Sequence, residues 1–311
     1  MNWLLLLEQC LNGFQLGILL FLLAAGLTLV FGIMDLVNLA HGSLYMVGAY
    51  FAAMYTAQTD SFVLGVILAL FSTLAVGIVV EVIVLRTLYD RNHLDQVLAT
   101  FGLILFANEA VRVVWGPAGL DIPLPDFLNT SVEIIPGVPY PTYRVAIIGL
   151  GILVAAFLYF LVSRTRIGML IRAGATNREM VAALGVDIKL LFTLIFGLGA
   201  ALAALAGAMA GPIFTVESGM GEAILILAFV VIVIGGIGSI RGAFIAAIVV
   251  GIIDTVGRSF LPDLLGLFLS DQYADTAAPA LSSMLIYLLM ATILAFRPEG
   301  LFPPKGRRMA G

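Results

Sequence analysis

Cysteine, lysine and histidine are nearly missing from this chain, and each scarcity removes a class of chemistry. Cys10 is the only cysteine, so an intrachain disulfide and a cysteine-based metal site are both excluded. The only lysines are Lys189 and Lys305, and neither completes G-x-x-x-x-G-K-[ST], so the chain has no P-loop of its own for ATP. His41 and His93 stand far apart without an H-E-x-x-H, which speaks against a zinc enzyme. Tyr89 and Asp90 match half of an intramembrane aspartyl protease signature, but no G-x-G-D follows. Charge is scarce as well. Asp, Glu, Lys and Arg make up 11% of 311 residues and hydrophobic residues 62%; mean hydropathy is +1.13. The net charge is −4, and the basic residues are spread along the chain instead of being gathered with aromatics, so a nucleic-acid surface is not expected.

What fills the chain is a series of apolar runs, each near the ~20 residues that a bilayer requires. Candidate spans are Leu11–Met34, Leu39–Ala57, Phe62–Leu85, Leu94–Trp115, Tyr143–Val162, Leu190–Ile213, Ala223–Ile240, Ala243–Phe260 and Ala280–Phe296. The fold class expected is an all-α polytopic membrane protein, folded as a single transmembrane domain over residues 1–311. The N-terminus, MNWLLLLEQC, has no basic n-region and is read as retained. Arg86, Arg91, the cluster at 163–189, Arg241, Arg297, Lys305, Arg307 and Arg308 fall on one side if every run from Phe62 onward crosses. Only Arg112, Arg144 and Arg258 fall on the other. The basic excess makes the first side, and the C-terminus, cytoplasmic. The external connections are then 116–142, rich in proline and acid, and 261–279, which repeats that character.

The first two runs leave the topology open. Asp35, Asn38 and His41 interrupt them, and a polar break at membrane depth is tolerated only where protein or a water-filled cavity covers it. A re-entrant or broken element near 35–57 gives eight spans; a full crossing gives nine. Eight is favoured. An apolar helix reaching Asp35 and restarting near His41 is echoed by one reaching Gly211 and restarting near Glu222, as in internally repeated transporters. Gly199, Ala203, Gly207 and Gly211, and again Gly238, Gly242 and Ala246, recur every four residues, a spacing that lets helices approach closely.

Residues 163–189 read SRTRIGMLIRAGATNREMVAALGVDIK. Thr176, Asn177, Arg178 and Glu179 have the form of a capping box, with Thr176 as the cap. Met180, Ala183 and Leu184 share one helical face, and Gly185 supplies a stop. The expectation is a short amphipathic helix outside the bilayer. Ionisable residues in the spans are functional candidates because burying them costs about 3 kcal/mol each. Glu81, Glu109, Glu222 and Asp254 are the acids. Glu109 with Arg112 reads more readily as a structural i, i+3 pair, and Glu222 as a carboxylate at the N-terminus of its own helix. Asn38, His41, Ser43 and Tyr45 form a denser polar set, which either lines a solute path or fastens a broken helix to its neighbours.

The stretches GLTLVFGIMDLVNLAHGSLYMVGAY (26–50), VLATFGLIL (97–105), NREMVAALGVDI (177–188), GGIGSIRGAFIAAIVVGIID (235–254) and FRPEGLF (296–302) resemble the permeases of the high-affinity branched-chain amino acid ABC transporters, in family order over nearly the whole chain. The likeness is greatest to the first permease subunit of the leucine/isoleucine/valine system. The resemblance implies a bacterial inner-membrane importer without chemistry of its own. This subunit would pair with a second, homologous permease amid membrane lipid. Two cytosolic ATPases would bind the ATP and Mg, this chain binding no cofactor or metal, and a periplasmic or lipid-anchored protein would deliver the solute. The coupling helix would be carried by Arg172, Thr176, Asn177, Glu179, Met180, Ala183, Leu184 and Gly185. Residues expected on the translocation path are Asn38, His41, Ser43, Tyr45, Glu81 and Glu222. The solute stays open among branched-chain amino acids, urea, amides and aromatic acids. The rival mechanism is ion-coupled secondary transport, with carboxylates such as Glu81 binding protons or sodium.

Overall fold

The computed structural model describes residues 3–268 and 270–303; the C-terminal basic residues Lys305, Arg307 and Arg308 lie outside the described residues. In chain order the elements are α1 (Trp3–Met34), α2 (His41–Thr59), α3 (Phe62–Ile83), a 3₁₀ turn (Leu85–Leu88), α4 (His93–Trp115), β1 (Ser131–Ile135), β2 (Val138–Pro141), α5 (Thr142–Arg164), α6 (Arg166–Thr176), α7 (Arg178–Ala183), α8 (Ile188–Ala210), α9 (Met220–Gly235), α10 (Ile240–Leu265) and α11 (Asp271–Phe296). Among the described residues, seven helices are long and apolar enough to cross a membrane: α1, α3, α4, α5, α8, α10 and α11. α2 is 19 residues long but carries polar groups from its first turn, and α9 has only 16.

Helix starts follow ordinary side-chain capping, in which an oxygen takes an otherwise orphaned N–H of the first turn. Ser61 accepts from Leu64 N at 3.4 Å, Asn92 from Asp95 N at 2.9 Å, Asp187 from Leu190 N at 3.1 Å and Ser239 from Gly242 N at 3.1 Å. α1 ends where Asp35 turns left-handed (φ 53°), and α2 ends in the same way at Asp60 (φ 51°). Aspartate tolerates that conformation better than most residues with a Cβ.

α1 is the hub. From Gly17 to Val30 it is buried on every side, as expected of a helix that is apolar all round and carries no amphipathic stripe. α10 runs antiparallel to it: a Cβ on Gly13 would fall 2.6 Å from Ile252 Cα, and one on Gly17 2.7 Å from Ile248 Cα. Phe21 meets Phe244 edge to face at 5.0 Å. The other flank of α1 takes α8, whose small residues also admit α2, the Gly207 backbone lying against that of Tyr45. These contacts agree with the four-residue glycine and alanine spacing, since small residues let backbones touch where no hydrophobic force separates helix from lipid.

Three expectations need correction. The loop 116–142 is not irregular throughout: within it, β1 and β2 form an antiparallel hairpin pairing Ser131 with Pro141 and Val132 with Tyr140. Gly137 supplies the positive φ of its turn, 82°. Proline density concealed this, because Pro139 and Pro141 can occupy a two-stranded edge where no further ladder bond is needed. The connection 261–279 is mostly helix, for α10 continues through Pro262 to Leu265 and α11 already begins at Asp271, with Pro279 inside it. The third concerns the cap in the basic segment. Thr176 closes α6, its hydroxyl donating to Arg172 O at 3.0 Å, and Asn177 is the residue that caps α7, accepting from Met180 N at 2.9 Å.

The motif segments GGIGSIRG and FRPEGLF form one unit. After α11 the chain folds back under α9, and the N–H groups of Leu301 and Phe302 donate to Ile234 O (2.9 Å) and Gly235 O (3.0 Å). Two carbonyls of the last turn of α9, which no helical bond serves, are satisfied in this way.

Candidate functional site

The first turns of α2 and α9 meet inside the bundle, Gly42 against Gly221, backbone to backbone. Both helices begin after an irregular stretch, 35–40 and 211–219, so two broken elements present their N-termini to one region. Beside this junction lie two cavities. A cavity of about 10 Å³, enough for about one water, is lined by Ser43, Asn108 and Glu222 among others. An apolar groove of about 210 Å³ runs between α2 (Val47, Phe51), α3 (Val76, Val80), α8 (Phe196) and α4 (Leu103, Phe106). Ser43 borders both cavities, and Asn38 borders the groove.

α4 spans this groove like a strap tied at its two ends. At one end Trp115 packs on Tyr50 (5.2 Å) and Phe51 (5.5 Å). There too Asn108 Nδ2 donates to Glu222 Oε1 at 2.7 Å, and Ser218 Oγ donates to Asn108 O at 3.2 Å. At the other end the buried Gln96 amide accepts from Val37 N (3.2 Å) and donates to Leu88 O (3.2 Å) and Arg91 O (3.3 Å). Gln96 and Asn108 are not among the residues expected from the sequence. Their signal in the sequence is neutral polarity within an apolar run.

The residues expected on a path divide into four groups, the last being Glu81 alone. Asn38 and Ser43 face the groove. The Asn38 side chain is fully buried, and neither its Nδ2 nor its Oδ1 has a hydrogen-bond partner in the protein, a situation costing about 1–3 kcal/mol unless a guest or water supplies one. Glu222 borders the small cavity and is tied to Asn108. His41 and Tyr45 are buried but do not line either cavity. The imidazole of His41 is wedged between Gly26 of α1 and Gly199 of α8, approaching the Leu23 backbone without hydrogen-bond geometry.

Glu81 stands apart from the groove walls. Its carboxylate is 0% exposed and is held by Arg86 Nη2 at 3.1 Å, Thr193 Oγ1 at 2.8 Å and the Tyr89 hydroxyl. Burial, and then the bond to Glu81, pushes the Tyr89 phenol pKa upward, so that the phenol stays a donor. Glu109 and Arg112 form the exposed i, i+3 pair at 3.0 Å that their spacing suggested.

In the basic segment α6 and α7 lie as two short helices between α5 and α8. α7 has six residues. Met180 is 60% and Leu184 78% exposed; Arg172, Thr176, Asn177, Glu179, Ala183 and Gly185 are exposed too, while Val181 is buried beneath them. Gly185 has φ 87°, the left-handed stop expected of it.

The profile of the family described as "Branched-chain amino acid transport system / permease component" matches residues 9–294. The chain belongs to this family of permeases. Among curated relatives, the permease is 32% identical over 309 residues to the high-affinity branched-chain amino acid transport system permease protein BraD of Pseudomonas aeruginosa, covering 95% of each chain. To the corresponding protein LivH of Escherichia coli K12 it is 29% identical, over 94% of this chain and 96% of that one. To a probable branched-chain amino acid transport permease protein of Methanocaldococcus jannaschii it is 27% identical over 80% of each. No solved structure matches the permease.

Proposed function

We propose that this permease subunit imports branched-chain aliphatic amino acids across a bacterial plasma membrane. It works with a second, homologous permease, two cytosolic ATPases that bind ATP and Mg, and an external solute-binding protein. The observation that carries the solute class is the groove. Its walls are almost purely apolar and take a branched aliphatic side chain, while Ser43, unpartnered Asn38 and the cavity at Asn108 and Glu222 offer hydrogen bonds for the polar end. A urea or small amide would leave the apolar wall unused. An ion-coupled role for Glu81 has little support, because that carboxylate is already engaged by a cation and two hydroxyls.

Nine crossings, with the N-terminus outside, are favoured over eight by the way helix ends associate. Asn12 near the start of α1 accepts from Arg144 at the start of α5, a residue on the external side by charge partition. The end of α1 lies by Gly238, next to Arg241 on the cytoplasmic side, where Arg241 covers the Tyr159 ring at 5.0 Å. The stretch 35–61 must then return outward, as a coil that leads into α2. In this reading the exposed Met180 of α7 and Leu184 just after it seat in a groove of the ATPase, a helix-in-groove contact.

The test is uptake of labelled leucine into proteoliposomes holding the complete complex with ATP inside. Unlabelled isoleucine and valine should compete, and urea and acetamide should not. Transport of urea without leucine competition would contradict the solute assignment.

A further inference from the structure

Glu81 lies in the last turn of α3, where three parts of the chain meet. Besides the Arg86, Tyr89 and Thr193 contacts, Arg86 Nη2 donates to Thr193 Oγ1 at 2.8 Å, and the Thr193 hydroxyl shares its proton with Lys189 O at 2.9 Å. Tyr89 also packs edge-on against Phe192 at 5.2 Å. Thr193 is one helical turn beyond Lys189, where the 163–189 segment runs into α8. Val80, beside Glu81, and Phe196, three residues after Thr193, are both groove walls. On the opposite side of this end of α3, Val79, Val82 and Ile83 are exposed.

We propose that Glu81, clamped by Arg86, Tyr89 and Thr193, is the joint that carries a displacement of the 163–189 segment into α3 as well as α8, so that both groove walls shift together. Glu81 is thus a positioning residue of the transport cycle. Apolar contacts between helix faces have little directional preference, whereas a charge-assisted cluster around a buried carboxylate fixes both separation and orientation. The inference rests on the reading of 163–189 as the ATPase contact.

The experiment measures ATP hydrolysis by the assembled complex with and without solute-loaded binding protein, alongside assembly yield and thermal midpoint. Thr193→Val keeps side-chain shape and leaves the Glu81–Arg86 pair in place. It should lower the solute-stimulated increment at least about fivefold while basal hydrolysis and assembly persist, and Thr193→Ser, which keeps the hydroxyl, should restore it. Glu81→Gln should act in the same direction; if that variant does not assemble, Thr193→Val decides alone. Wild-type stimulation in Thr193→Val would overturn the proposal. So would joint loss of basal hydrolysis, stimulation and assembly, which marks a purely structural staple. Met180→Asp separates the two readings. If it abolishes stimulation while Thr193→Val does not, only the joint is wrong; if it leaves stimulation intact, the coupling reading fails and the joint with it.

Discussion

The backbones of Gly42 and Gly221 touch: a Cβ added at Gly42 would fall 2.3 Å from the Gly221 carbonyl oxygen, and one added at Gly221 2.0 Å from that of Gly42. Two helices that both begin within the bundle are thereby pinned start to start. Gly221→Ala should force them apart, at a cost of about 1–3 kcal/mol for overpacking. The purified complex should melt at a lower temperature and lose uptake. Gly102→Ala on α4 is the control, because a Cβ there meets nothing within 4 Å, and both measurements should stay at or above wild type.

A second prediction follows from which residue caps α7. Asn177→Ala removes the bond to Met180 N and should destabilise that helix by about 1 kcal/mol. Solute-stimulated ATP hydrolysis by the complex should fall. Thr176→Ala removes only a bond back to Arg172 O within α6, and stimulation should be near wild type. The reverse order would return the cap to Thr176.

His41 and Ser43, two residues apart, should behave differently. His41 fills the gap between Gly26 and Gly199, so His41→Leu should lower assembly and thermal stability along with uptake. Ser43→Ala and Asn38→Ala alter groove-facing groups and should reduce uptake with the melting temperature retained. Melting curves beside initial uptake rates distinguish the two patterns.

Topology gives a fourth prediction. In a Cys10→Ser background, Trp3→Cys and Asp126→Cys should react with an impermeant thiol reagent only from outside, and Leu184→Cys only from the cytoplasm. Labelling of Trp3→Cys from the cytoplasmic side alone would restore eight crossings.

Much of this arrangement was legible in advance, and the failures have physical causes. Apolar run length and glycine punctuation place most helix ends within about five residues, because in lipid an uninterrupted apolar run must satisfy its backbone internally; α1 and α11 start well before the expected Leu11 and Ala280, at Trp3 and Asp271. The stop at Gly185 and the break at Asp35–Asn38 were equally visible. Run length cannot tell which helix is central: α1 and α3 are both strongly apolar, yet one is buried along most of its length and the other faces outward at Val79 and Ile83. Long-range polar ties are invisible for a similar reason. Nothing local in Thr193 or Gln96 announces that each answers a group on another segment of the chain, and nothing in His41 reveals that it points toward α1 and α8 rather than the groove that Ser43 faces.

The most direct test of the central claim, that a branched aliphatic solute passes along the groove beside Ser43, is protection of that position from chemical modification. Ser43→Cys in the Cys10→Ser background is assembled into the complete complex, and its rate of reaction with a small methanethiosulfonate is followed in the presence of solute-loaded binding protein and ATP. Leucine should slow the reaction, and urea should leave it unchanged. A labelling rate indifferent to leucine, in a variant that still takes leucine up, would contradict the account.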